Sequence, residues 1–113
     1  MRFDVGCNRR VLVQFVKKRN IHHVKIKVEE IQINLTLLEF ISLPVINVEN
    51  HLQNFSIKNG RRNLNINTKL EKVDLVLNEF KPDSWTTKTK VELKLVEYHN
   101  LVNLCNVVNF DQI

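Results

Sequence analysis

The residues best equipped to do chemistry in this sequence are cations. Residues 1–28 carry eight basic side chains, Arg2, Arg9, Arg10, Lys17, Lys18, Arg19, Lys25 and Lys27, against the single acid Asp4, a local charge of +7. The next stretch, 29–54, holds four acids and no Lys or Arg, and the whole chain carries +5. A basic face of that size attracts polyanions, nucleic acid first among them. The competing meaning is a solvated surface that keeps the chain soluble. Lysines on a strand act as point charges toward phosphates, which suits binding that tolerates any base sequence.

Other chemistries find little support. His22 and His23 are adjacent, so on a strand they point to opposite faces and do not share a metal. His51 and His99 add no ligand spacing, and Cys7 and Cys105 lie far apart without a C-x-x-C. No nucleophile elbow, phosphate-binding loop or Cys-His-acid grouping stands in the chain, and Glu29-Glu30 reads as a turn before it reads as an acid–base pair. The expectation is no enzyme, no metal and no cofactor. The first residues lack an apolar signal core and no apolar run approaches 18 residues, so no membrane contact is expected and the reading is intracellular, nuclear or cytoplasmic. The chain has no alanine and 15 asparagines, a bias that fits an AT-rich genome such as that of a virus in its host cell.

Something must position those cations. A chain of 113 residues suits one domain, and the missing alanine together with 15 Val, 14 Leu and 9 Ile favours strands. Val11, Val13 and Phe15 alternate with Leu12 and Gln14. Val24-Lys25-Ile26-Lys27-Val28 alternates strictly, which sets both lysines opposite the aliphatic face. Ile31, Ile33 and Leu35 continue the pattern after a Glu29-Glu30 turn, and residues 16–21 form a basic hairpin between the first two strands. Phe3–Val5 is a candidate extra strand. From Thr36 the period becomes helical through Leu37, Phe40 and Leu43, with Thr36 and Glu39 placed as a capping box. Pro44 interrupts this helix, and Ile46, Glu49 and Leu52 are spaced to resume it.

The same order then repeats. Phe55-Ser56-Ile57 echoes Phe3-Asp4-Val5, and Arg61-Arg62 follow at the spacing of Arg9-Arg10. Val73 to Glu79 repeats Val24 to Glu30 as V-x-[IL]-x-[VL]-x-E, and Val91 to Leu95 repeats Ile31 to Leu35. Glu97-Tyr98-x-x-Leu101 matches Glu39-Phe40-x-x-Leu43, after which Leu101, Leu104, Cys105 and Val108 share one helical face. The fold expected is therefore α+β: two tandem β-β-β-α units, 1–54 and 55–113, in a single domain, with Phe40 related to Tyr98. In unit two the positions matching the basic strand face are Asn65, Asp74, Val76 and Glu92, a far less basic set.

Unit one resembles the single-strand-binding transcriptional coactivators (positive cofactor four) and the related Pur-type repeats. The residues that carry this are Phe3-x-Val5-Gly6, Arg9-x-Val11-x-Val13, the basic hairpin, Val24-x-Ile26-x-Val28, and Ile33-x-Leu35-Thr36-x-x-Glu39-Phe40-x-x-Leu43. The resemblance covers about 45 residues well and unit two only in outline, where Lys58 replaces Gly6. It implies curved antiparallel sheets backed by helices, pairing as dimers or as two repeats in one chain, with single-stranded nucleic acid on the strands. By position it assigns Arg9, Phe15, Lys17, Lys18, Arg19, Lys25 and Lys27 to the binding face, which Arg10 extends. After the third strand those coactivators place a basic residue and an aromatic where Glu29 and Glu30 stand here, and their acidic or serine-rich tail is missing.

Two residues keep two readings each. Phe15 either stacks on a base or joins Val11 and Val13 in the core. Trp85, in a Pro-Asp-Ser-Trp loop, either stacks on a base or packs on the other unit. The function expected is sequence-tolerant binding of single-stranded DNA or RNA in transcription or replication, by a monomer or a homodimer joined through edge strands or helices. The alternative is a structural or interaction protein, such as a viral accessory or assembly factor, that keeps the fold without binding nucleic acid.

Overall fold

The computed structural model describes residues 1–46 and 53–110. Strands β1 (Arg2–Asp4), β2 (Val11–Lys18), β3 (Ile21–Val28) and β4 (Ile31–Thr36) are followed by helix α1 (Leu37–Ile41). Then come β5 (Asn54–Asn59), β6 (Arg62–Lys69), β7 (Lys72–Phe80), β8 (Trp85–Lys94), helix α2 (Leu95–Asn103) and a 3₁₀ turn at Leu104–Asn106. Each unit makes its own antiparallel sheet, in the order β1-β2-β3-β4 and β5-β6-β7-β8. The architecture is mixed α+β with two four-stranded sheets. Phe3 belongs to a true first strand, so each unit is β-β-β-β-α rather than β-β-β-α.

Tight turns set the registers. Lys18 pairs with Ile21 across Arg19 and Asn20, both at positive φ, the two-residue hairpin whose twist matches the strands. The basic tip is thus two residues long, because the alternation continues through Lys17 and Lys18. Val28 pairs with Ile31 across Glu29-Glu30, with Glu29 at positive φ. In sheet one Val13 faces Ile26, which faces Ile33; in sheet two Ile66 faces Leu75, which faces Val91. All six are essentially inaccessible and belong to one hydrophobic cluster, with residues from both units in it. This register makes Arg9 the counterpart of Arg62 rather than Arg61, since Phe55 pairs with Ile66, 11 residues on, where Phe3 pairs with Val13, 10 residues on.

The helices enter at equivalent points. Thr36 caps α1 by accepting the Glu39 N–H at 3.1 Å, while the Glu39 carboxylate accepts the Thr36 N–H at 2.8 Å, the reciprocal pair its sequence predicts. In α2 only half of this survives: Glu97 accepts the Lys94 N–H at 2.8 Å, and a lysine offers no acceptor in return. Phe40 and Tyr98 sit one turn into their helices and are fully buried. Helix α1 is shorter than its periodicity predicts. It ends at Ser42, Leu43 is buried just beyond it, and Ile46 is buried outside any helix; Glu49 and Leu52 lie outside the described residues. Leu101, Leu104 and Val108 are buried along α2 and its extension, with Cys105 partly exposed.

The two sheets meet where β4 runs beside β8. There each unit sends an arginine into the other. Arg9 holds the Glu97 carboxylate at 2.7 Å and donates to the Glu92 carbonyl at the end of β8. Arg62 holds Glu39 at 2.8 Å and donates to the Asn34 carbonyl near the end of β4. Both carboxylates are fully buried. Tyr98 adds a third tie by donating its hydroxyl to the Pro44 carbonyl at 2.6 Å.

Candidate nucleic-acid interface

Alternation divides sheet one into a core face and an outward face. Val11, Val13, Phe15, Val24, Ile26, Ile33 and Leu35 point inward. Across the outward face, Arg2 stands opposite Gln14, Gln14 opposite Lys25, and Lys25 opposite Asn34. One step along, Leu12 stands opposite Lys27 and Lys27 opposite Gln32. Arg2, Leu12, Gln14, Lys25, Lys27 and Gln32 line a depression of about 270 Å³. Its lining combines three cations, two amides and one aliphatic side chain. The Gln32 side-chain amide donates to the Asn34 side-chain oxygen at 2.7 Å.

The sequence-predicted cations separate into three groups. Lys25 and Lys27 share this face, with Lys18 on the same side of β2 and Arg19 at the adjoining turn. Lys17 has the opposite parity, beyond the end of the core, and Arg10 is exposed before β2 begins. Among the described residues none of Arg10, Lys17, Lys18, Arg19, Lys25 and Lys27 has an ion-pair partner within 4.0 Å, and neither has Arg2. Arg9 is the exception. Its guanidinium is committed to Glu97, with Glu29 at 3.7 Å, and the hydrogen bond to Glu97 raises its pKa further. Arg9 therefore serves the union of the two units and does not stand among the unopposed cations.

Phe15 is a core residue. It is 4% exposed and meets Phe3, Phe40 and Phe110 edge-on at 5.2 to 5.9 Å between ring centroids, so no base reaches it. Trp85 packs on Phe80 of its own hairpin at 5.5 Å, half-exposed, and not on unit one.

Unit two presents a different outward face. By register Asp74 occupies the place of Lys25 and Val76 that of Lys27. Asp74 is covered by Lys69 at 2.8 Å and Lys90 at 3.6 Å, and its second oxygen lacks a donor. Lys69 and Lys72 also reach Glu92, while Lys81 and Lys88 flank Glu79 and hold its carboxyl below the usual range. Most cations of this sheet are thus neutralised in place, Lys58 and Lys94 being without an ion-pair partner among the described residues. Asn54, Asn63, Asn65 and Asn67 share this face with Ser56, Lys58 and Val76.

Arg2 counts among the cations without being assigned to the binding face, and charge counting misses Gln14, Gln32 and Asn34 altogether. The alternation carried a signal for the last three, because each has the parity of Lys25 and Lys27. Their adjacency needed the strand register. A larger depression, about 570 Å³, lies beside the start of α2 and is lined by Glu71, Lys72, Lys94, Leu95, Val96 and His99. Among the described residues no cluster of His, Cys, Asp or Glu could hold a metal ion, and no helix is long and apolar enough to cross a membrane. Comparison with protein-family models, curated proteins and solved structures finds no match.

Proposed function

We propose that the outward face of unit one binds single-stranded nucleic acid, with phosphates on Arg2, Lys18, Arg19, Lys25 and Lys27 and unpaired bases against the Gln14, Gln32 and Asn34 amides. One observation carries this reading: among the described residues the cations of sheet one have no counter-ions within 4.0 Å, whereas most of those on sheet two have carboxylates against them. Unopposed cations on one face hold a counter-ion atmosphere that a polyanion displaces with a gain in entropy. Curved sheets backed by helices, and no catalytic role, complete the reading that the family resemblance suggests. The binding tolerates any sequence, since point charges on strands carry no base code.

The test is a salt titration against labelled single-stranded and duplex oligonucleotides of the same sequence. Four or five phosphate contacts give a log–log slope of about −3, at roughly 0.7 per contact for single strands. Duplex bound as tightly as single strands, or a slope near zero, would overturn the proposal. A second reading, an interaction protein, draws on the exposed aliphatic side chains Leu38, Ile41, Val45, Leu70 and Val96, which nothing in the chain covers among the described residues. A flat salt response favours it.

A further inference from the structure

The two sheets have four edge strands, and three of them are guarded. β1 is three residues long, and the Asp4 carboxylate beside it accepts the Gly6 and Val11 N–H groups at 2.9 and 3.1 Å. β4 and β8 lie beside each other, each with a carbonyl held by an arginine of the opposite unit. β5 has none of these devices. It runs six residues, Asn54–Asn59, with no proline, no bulge and no ion-paired side chain. Short length, bulges, inward charges, proline and edge lysines are what normally keep such an edge from pairing, and of these β5 carries only Lys58.

The hydrogen-bonding phase of β5 is fixed by the ladder. The Thr68 N–H donates to the Gln53 carbonyl at 2.8 Å, so Gln53, Phe55, Ile57 and Asn59 bond inward to β6. The backbone groups of Asn54, Ser56 and Lys58 therefore face away from the sheet, and among the described residues none has a partner. Above and below this edge lie two different surfaces. Phe55 and Ile57 are half-buried against the core, while the Asn54, Ser56 and Lys58 side chains are exposed on the outward face.

We infer that β5 is a self-association edge, on which a second copy of this chain pairs β5 antiparallel about a two-fold axis at Ser56. That register sets Asn54 opposite Lys58 of the second copy and Phe55 opposite Ile57 of the second copy. It forms about six backbone hydrogen bonds and two aromatic–aliphatic cross-strand contacts. A second copy fits better than an arbitrary strand because the only charge on β5 avoids itself. The two Lys58 side chains fall about 13 Å apart along the strands, beyond the screening length at 0.1 M salt. The product is one eight-stranded sheet built from both unit-two sheets, leaving the face of unit one unobstructed by the contact. The inference is independent of nucleic-acid binding, and its test contains no nucleic acid.

Light scattering on the full chain, from about 1 to 100 µM, should show mass action from the 13.4 kDa monomer toward twice that mass. Ser56→Pro should abolish this rise with an unchanged circular dichroism spectrum. Proline at 56 removes only an N–H that points away from β6, and edge strands tolerate proline there. As a second arm, Ser56→Cys in a Cys7→Ser, Cys105→Ser background should oxidise to a covalent dimer, because residues at the axis lie about 5.5 Å apart between Cα atoms. Asn63→Cys in that background should not. A chain that stays at 13.4 kDa throughout, a folded Ser56→Pro protein that still dimerises, or equal cross-linking of both cysteine variants would overturn the inference. If Ser56→Pro fails to fold, the cross-linking arm decides alone.

Discussion

Arg9 and Glu97 are 88 residues apart in sequence and joined by three hydrogen bonds of 2.7 to 3.2 Å. The Cys7 N–H adds a fourth to the same carboxylate at 3.0 Å. Arg62 and Glu39 repeat the arrangement in the opposite direction, so each helix start is completed by the other unit. A buried carboxylate stripped of its cation is costly, because burial removes the water that would replace it. A unit of about 50 residues hardly buries a core alone. The reciprocal pairs make each unit a requirement of the other.

Arg9→Ala should destabilise the protein by on the order of 3 kcal/mol, since Glu97 keeps its burial and loses its cation. Arg62→Ala should cost a similar amount through Glu39. In an Arg9→Ala, Glu97→Gln cycle the two changes should couple, because the second removes the charge that the first strands. Urea unfolding of the four proteins measures this. Additive losses would show that the ion pair contributes little beyond packing.

The same carboxylate sets an acid limit. Burial pushes the Glu97 pKa up, but Arg9 and the Cys7 and Lys94 N–H groups outweigh it and hold the pKa below its ordinary 4.5. A depressed folded pKa contributes stability that is complete above the unfolded value and lost as pH falls through the folded one. Stability should therefore be level above about pH 6 and decline below pH 4.5. Asp4, lowered by its bonds to the Gly6 and Val11 N–H groups, and Glu79 lie in the same window. Glu97→Gln should be less stable at pH 7 and show a shallower acid decline. Melting temperatures from pH 3 to 7 test this, and parallel curves would refute it.

Gly6 should tolerate nothing larger. A Cβ built there stands 1.8 Å from the Arg9 carbonyl oxygen and 2.9 Å from the Val11 nitrogen, both backbone atoms that cannot rotate aside. Gly6→Ala must open the turn that delivers Cys7 and Arg9 to Glu97, at a cost of about 2 kcal/mol or more. Gly60→Ala is the control. Gly60 has φ +61° and open space around it, so only the left-handed backbone penalty of about 1 kcal/mol applies. Equal losses in thermal unfolding would contradict the steric argument.

The strands were legible because alternation is a local signal. Val24 to Val28 could only expose Lys25 and Lys27 once its aliphatics were buried, and the capping box at Thr36 and Glu39 was readable from four residues. The length of α1 was not. Phe40 and Leu43 are buried as the period requires, but Leu43 reaches the core from irregular chain, and a helical period does not distinguish the two. Arg9 misled for another reason. Its commitment to Glu97 is set by how the units meet, and no local pattern encodes a partner 88 residues away. Phe15 was decided by three aromatic neighbours, of which Phe110 comes from the far end of the chain.

The charge asymmetry between the sheets gives the most discriminating prediction about binding. Lys25→Gln with Lys27→Gln removes two unopposed cations from the proposed interface. The salt slope should become shallower by about 1.4, which at 0.1 M salt corresponds to roughly 25-fold weaker binding. Neutralisation is preferable to reversal, because the matched control in unit two is Lys88→Gln with Lys90→Gln. Those lysines sit against Glu79 and Asp74, and glutamates in their place would repel both carboxylates and confuse folding with binding. The control pair should leave affinity within about twofold, since cations already neutralised release few counter-ions when a strand binds. Circular dichroism should be unchanged for both variants, because all four side chains lie off the core face. Equal losses in the two variants would place the nucleic acid across both sheets and remove the distinction between Lys25 and its counterpart Asp74.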